Sequence, residues 1–199
     1  MHSGDCFLVP GPVRMSEACL QAMATPVMTA RGPEFRQVMA GLNSGLRYAF
    51  NLSPSKPEMK TQSWTGEDGY RVVVVSGSGT AAMEMVIANR FRRNDLVLVP
   101  TNGKFGERVA DICRQFCNVK HLNYEWGRSF DLYELEQQLE RGCYEALLIC
   151  HNETSTGITQ DAEAIAEMCE RHGVSFILDG ITSVGGLSLI HISEPTRPC

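Results

Sequence analysis

Asp179 ends the apolar run Val174–Leu178, and Gly180-Ile181-Thr182-Ser183-Val184-Gly185-Gly186 follows it. An acid delivered to a cleft by a parallel strand suits a protonated ring nitrogen, because the opposite charge favours the ring's charged form. Capping or a surface ion pair is the plainer use of the same carboxylate. Three further turns carry comparable chemistry. Ser76-Gly77-Ser78-Gly79-Thr80 joins an apolar run to a helical pattern. Its small residues let the backbone approach a ligand, and the helix start offers unpaired N–H groups. Ser78, Gly79 and Thr80 therefore read as a phosphate cradle, or as a tight turn using glycine for geometry alone. The turn is not a dinucleotide fingerprint, since Ala82 stands where the third glycine belongs, and it lacks the Gly-Lys-Ser/Thr of a nucleotide P-loop.

Asn102-Gly103-Lys104-Phe105-Gly106-Glu107-Arg108 places an aromatic ring between glycines at a helix start. Phe105 can stack there on a planar ligand, and core packing accounts for it equally well. Lys104 is expected at the surface. His151-Asn152-Glu153-Thr154-Ser155-Thr156-Gly157 follows a buried run, and Thr154 or Ser155 offers a hydroxyl for a phenolic oxygen. Thr156 or Thr159 equally suits the opening of the next helix.

These turns need elements to position them. Strand-like runs are predicted at Arg71–Val75, Asp95–Val99, Val119–Tyr124, Ala146–Cys150 and Val174–Leu178. Helical patterns at Thr80–Phe91, Gly106–Phe116, Leu132–Arg141 and Asp161–His172 alternate with them. Such alternation predicts an α/β fold with a mostly parallel sheet. Nearly continuous apolar strands imply helices on both faces. Ligands then bind beyond the carboxyl ends of the strands, where all four turns fall. Upstream, Ser16 is placed to cap a helix over Glu17–Ala24, and a second helix is expected over Pro33–Leu42.

Net charge −5 and the lack of a basic stripe argue against a nucleic-acid binder. No run is long and apolar enough for a membrane span, and the first residues do not resemble a secretory signal, so a cytoplasmic location is expected. The 8 cysteines include no Cys-x-x-Cys pair. Cys113 and Cys117 share a helix face, but reduced core cysteines are the expectation, with no metal site.

A phosphate cradle, a stacking ring, a hydroxyl cluster and an acid for a ring nitrogen are together what pyridoxal 5′-phosphate requires. In this order they resemble the class V pyridoxal-phosphate aminotransferases, above all the alanine–glyoxylate and serine–pyruvate group. Pro10-Gly11-Pro12 and Arg31-Gly32-Pro33-Glu34-Phe35 add to the likeness, which runs from about Phe7 to Gly186. The resemblance implies part of a fold-type I large domain. It implies a phosphate held by Ser78, Gly79 and Thr80, a ring stacked on Phe105, Thr154 at the ring hydroxyl and Asp179 at the ring nitrogen. Pro10, Gly11 and Pro12 would lie near the substrate. A homodimer acting on small amino acids and 2-oxo acids is implied for the intact enzyme. Alternatives are 2-aminoethylphosphonate–pyruvate aminotransferase, another reaction of the superfamily, or a non-catalytic binding or interface protein. A cysteine desulfurase is disfavoured because Phe105 stands where that group has histidine.

Two features depart from the family pattern within the likeness. Gly180 replaces the usual alanine, read as a mild change, and Ser53–Gly69 is longer and more polar than expected. The family's Schiff-base lysine is missing as well, since no lysine follows Lys120. The expected organisation is an N-terminal segment over 1–68, an incomplete cofactor-binding large domain over 69–186, and a tail over 187–199 foreign to the family. A fragment of a longer enzyme, inactive by itself, is the expectation.

Overall fold

The computed structural model describes residues 15–52 and 69–185. Pro10, Gly11 and Pro12, most of the Ser53–Gly69 insertion and the 187–199 tail lie outside the described residues. The chain divides into two compact units at Val73/Val74.

The first unit holds α1 (Glu17–Met23) and α2 (Pro33–Ala49). The Ser16 hydroxyl caps α1 by accepting the Cys19 N–H at 3.3 Å. The second helix runs seven residues past its expected end at Leu42, through Asn43, Ser44 and Gly45. Tertiary anchoring overrides those poor helix formers. Arg47 is only 2% exposed and its Nη1 donates to the Tyr70 carbonyl at 3.1 Å.

The second unit is built in order from α3 (Gly79–Arg90), β1 (Leu96–Thr101), α4 (Lys104–Phe116), β2 (Asn118–Asn123), α5 (Leu132–Arg141) and β3 (Ala146–Cys150). A short hairpin, β4 (Asn152–Glu153) and β5 (Ile158–Thr159), precedes α6 (Ala162–Arg171) and β6 (Ser175–Asp179). The main sheet has the order β2-β1-β3-β6, and every pairing in it is parallel. Side chains alternate across it, as the two-residue period of a strand requires. Val97, Val99, Ala146 and Leu148 pack with Ile87 of α3 and Val109, Ile112 and Cys113 of α4. Leu98, Leu147 and Ile149 pack with Leu135 and Leu139 of α5 and Ile165 and Met168 of α6. Helices therefore cover both faces, as expected.

The expected strand at Arg71–Val75 shrinks to an isolated bridge at Arg71. Its valines are extended but carry no ladder, and Val73, Val74 and Val75 are 70%, 40% and 49% exposed. β-branched residues favour an extended backbone, yet a strand exists only when its N–H and C=O groups pair with a neighbour. Among the described residues no strand supplies that pairing. Nor does any described helix have the length and apolarity to cross a membrane.

Candidate functional site

The strand order reverses its direction of growth at β1 and β3: β2 lies on the far side of β1, and β6 on the far side of β3. Beyond the carboxyl ends of these two strands is the crevice where such sheets bind ligands. The turns after β1, β3 and β6 meet at this end of the sheet. Cys150 pairs in register with Asp179, and the His151 N–H donates to the Asp179 carbonyl at 3.0 Å.

Phe105 stands in the first turn of α4, whose N-cap is Gly103, a residue without a side chain to cap it. The caps come from the turn after β3. One Glu153 oxygen, Oε2, accepts the Phe105 and Gly106 N–H groups at 3.0 and 2.9 Å. The other, Oε1, accepts the Ser155 N–H at 3.2 Å and its hydroxyl at 2.5 Å. Ser155 Oγ in turn accepts the Lys104 N–H at 2.9 Å. Three orphan donors of the helix start are thereby satisfied. Glu153 is fully buried, and its charge is met by these donors and the positive end of the helix. A Cβ on Gly103 would collide with the Glu153 side chain and with Ser155 Oγ, so glycine here provides clearance.

Ser155 is thus consumed as a cap. The neighbouring Thr154 hydroxyl, half-buried, makes no hydrogen bond with any described residue. Phe105 is also half-buried, and the Arg108 guanidinium lies 5.1 Å from its ring centroid. Arg108 Nη1 reaches the Thr80 hydroxyl at 3.4 Å, which brings the start of α3 to the same place. There Ser78 is the N-cap, its hydroxyl accepting the Ala81 N–H at 3.2 Å. The N–H groups of Gly79 and Thr80 precede the first intrahelical bond and remain available. Lys104 is a surface residue, as expected, paired with Glu107 at 3.1 Å.

One Asp179 oxygen, Oδ1, accepts the Ile181 N–H at 3.1 Å. The other, Oδ2, is buried with no partner among the described residues. Ile181 folds back over the start of α3, since a Cβ on Gly79 would strike its Cδ1. Thr182 Oγ1 donates to the Asn152 carbonyl at 3.1 Å, fastening the acid turn to the hairpin. Gly180 is less neutral than its sequence suggests, because an added Cβ would stand 2.7 Å from Val184 Cγ2.

Neighbouring groups are held uncharged. Burial, then the Asp179 and Glu153 carboxylates, push the Cys150 thiol up to about 12. Burial also lowers the basicity of His151, whose Nδ1 has no partner among the described residues. His121 is lowered by burial and then by Arg114, whose Nη2 approaches Nδ1 at 3.0 Å. A guanidinium only donates, so Nδ1 accepts and Nε2–H donates to Thr101 Oγ1 at 2.8 Å. Among the described residues no group of three or more His, Cys, Asp or Glu side chains is placed to hold a metal ion.

Ser78, Gly79, Thr80, Phe105, Thr154 and Asp179 thus lie on turns linked by contacts within the second unit. Sequence reasoning overlooked Glu153 and Arg108. The signal for Glu153 was a helix opening on Gly103 with no capping side chain of its own.

The "Aminotransferase class-V" family profile matches residues 49–190. The chain is 31% identical over 188 residues to the "Soluble hydrogenase 42 kDa subunit" of Anabaena cylindrica, covering 92% of this chain and 45% of that protein. It is 29% identical over 181 residues to the (S)-ureidoglycine–glyoxylate transaminase of Bacillus subtilis, covering 90% and 40%. The crystal structure of an alanine–glyoxylate aminotransferase from Nostoc sp. superposes with a TM-score of 0.76 at 32% identity, covering 93% of this chain and 46% of that one. The chain spans less than half the length of these relatives. The profile match spans most of the chain, and the chain belongs to the class-V aminotransferase family.

Proposed function

We propose that this chain forms the cofactor-holding part of a pyridoxal 5′-phosphate-dependent aminotransferase. The observation that carries the reading is Asp179 Oδ2, a buried acceptor at the end of β6 without a donor among the described residues. Buried polar atoms are normally paired, and a ring N–H is the donor this one lacks. The other groups fit the same ligand. On the face covered by α3 and α4 both helix N-termini open at this end of the sheet, and Glu153 already fills that of α4. The free N–H groups of α3, with the Ser78 and Thr80 hydroxyls, are left for a phosphate. Phe105 offers a stacking face, and the Thr154 hydroxyl is available for the ring oxygen.

When bound, the cofactor supplies an electron sink for charge developing at the substrate Cα. The residues of this chain orient it. Asp179 holds the ring nitrogen protonated, Phe105 fixes the ring plane, and the α3 start anchors the phosphate. No lysine follows Lys120. The covalent link and the proton transfer that depends on it are therefore assigned to a longer protein. Its reaction is amino transfer from a small amino acid of the alanine or serine type to glyoxylate or pyruvate, in a homodimer. Relatives named as glyoxylate transaminases support that substrate class.

The test is binding of pyridoxamine 5′-phosphate, which has no aldehyde to react with surface lysines, followed by its fluorescence. The parent chain is expected to bind it, and Asp179→Asn to bind at least tenfold more weakly. Equal affinity in the two would refute the assignment of Asp179. No transaminase activity is expected from the 199-residue chain itself.

A further inference from the structure

Resting on that reading, we infer that Glu153 is a positioning residue for the bound ring, acting through Phe105 and Thr154 and touching neither cofactor nor substrate. One carboxylate binds both structures that would contact the ring. Through Oε2 it holds the N–H groups of Phe105 and Gly106, and so the helix turn that carries the stacking face. Through Oε1 it holds Ser155, and so the turn that carries the Thr154 hydroxyl. The two segments are 48 residues apart in sequence, and among the described residues the other polar link between them is Ser155 Oγ to the Lys104 N–H.

The chemistry of the clamp demands an acid. All four bonds to Glu153 are donated to it, by Phe105, Gly106 and twice by Ser155. A glutamine of the same shape turns its NH₂ either toward the helix N–H groups or toward Ser155, where a donor meets a donor. One half of the clamp then opens, and the ring face and the hydroxyl lose their fixed separation. Such a shift degrades binding geometry even when every ligand-contacting residue is retained.

A helix cap with no role in the site would be the structural alternative, and Asp131 provides the control. Asp131 caps α5, accepting the Tyr133 and Glu134 N–H groups at 2.9 and 3.1 Å, and α5 packs on the opposite face of the sheet from α4. The experiment titrates the full chain with pyridoxamine 5′-phosphate and records the dissociation constant, the induced circular dichroism of the ring at saturation, and the melting temperature without ligand. Glu153→Gln is expected to weaken binding at least tenfold and to remove most of the induced signal. Ser155→Ala, which removes the hydroxyl bond to Oε1 and the Lys104 cap while keeping the Phe105 and Gly106 bonds to Oε2, is expected to lower both by a few fold and decides the matter if Glu153→Gln does not fold. Asp131→Ala is expected to lower the melting temperature and leave both ligand readouts unchanged.

If the Glu153 and Ser155 variants shift only the melting temperature, the positioning role is overturned while the cofactor reading stands. If Asp131→Ala erases the ring signal as fully as Glu153→Gln, the effect is general destabilisation and the role is likewise overturned. A parent chain that does not bind pyridoxamine 5′-phosphate overturns the cofactor reading, and this inference with it.

Discussion

Replacing Gly103 with alanine tests the packing of the clamp without altering a hydrogen-bonding group. Backbone strain does not enter, since the Gly103 φ of 177° is extended and open to any residue. The cost lies in what the methyl meets. Its carbon would stand 2.5 Å from Glu153 Cδ and 2.7 Å from Ser155 Oγ, where ordinary contact begins near 3.4 Å. Overpacking of this kind costs about 1–3 kcal/mol when neighbours yield slightly. Here the neighbour that must yield is the cap of α4. Loosening one bond to a charged acceptor adds about 1.5–3 kcal/mol. A loss of about 3 kcal/mol is expected, which for a chain of this size lowers the melting temperature by roughly 6–12 °C. Urea unfolding of Gly103→Ala and of the Gly103→Ala/Glu153→Ala pair measures it. Without the carboxylate there is no clash with it, so the double variant should lose less than the two single losses combined, by about 1–2 kcal/mol. A Gly103→Ala change within about 0.5 kcal/mol of the parent, or strict additivity, would refute the steric account.

Gly41 provides a contrast within α2, where an added Cβ meets nothing within 4 Å; Gly41→Ala should stabilise the chain by about 0.5–1 kcal/mol in the same assay. Asp131→Ala should cost about 1 kcal/mol through loss of the α5 cap. His121 and His151 are both held below the ordinary value of 6.5, so the unfolded chain takes up protons more readily than the native one as pH falls past 6.5. Melting temperature should therefore decline on acidification from pH 7.5 to 5.5, and His121→Gln should flatten the slope. In native protein, a thiol reagent should modify the exposed Cys19 and Cys143 quickly. Cys113, Cys117, Cys150 and Cys169 should stay protected until unfolding, since burial raises every one of these four thiols.

Where local pattern and tertiary demand coincide, the elements are legible from residues alone. Ala146–Cys150 and Leu132–Arg141 fall at their expected bounds, the first a continuous apolar run, the second opened by Asp131 and followed by Gly142. The Val72–Val75 run misled because its strand character depends on a pairing partner that no local residue encodes. The end of α2 was missed for a related reason, its persistence resting on a burial of Arg47 that only tertiary structure creates. The site divides the same way. Turn chemistry pointed to Ser78, Phe105, Thr154 and Asp179, each at the end of an element. Glu153 appeared as one polar residue in a polar run, and its partners lie too far off in sequence for spacing to suggest them.

That distance also has a consequence in time. The helix bearing Phe105 cannot complete its own first turn, and the acid that completes it is synthesised 48 residues later. At ribosomal rates of ~5–20 residues per second, the emerging helix waits roughly 2–10 s with a frayed start. The ring-bearing end of α4 thus becomes ordered only after β3 and the following hairpin have been made, so the site matures late, on a schedule written into the order of the chain.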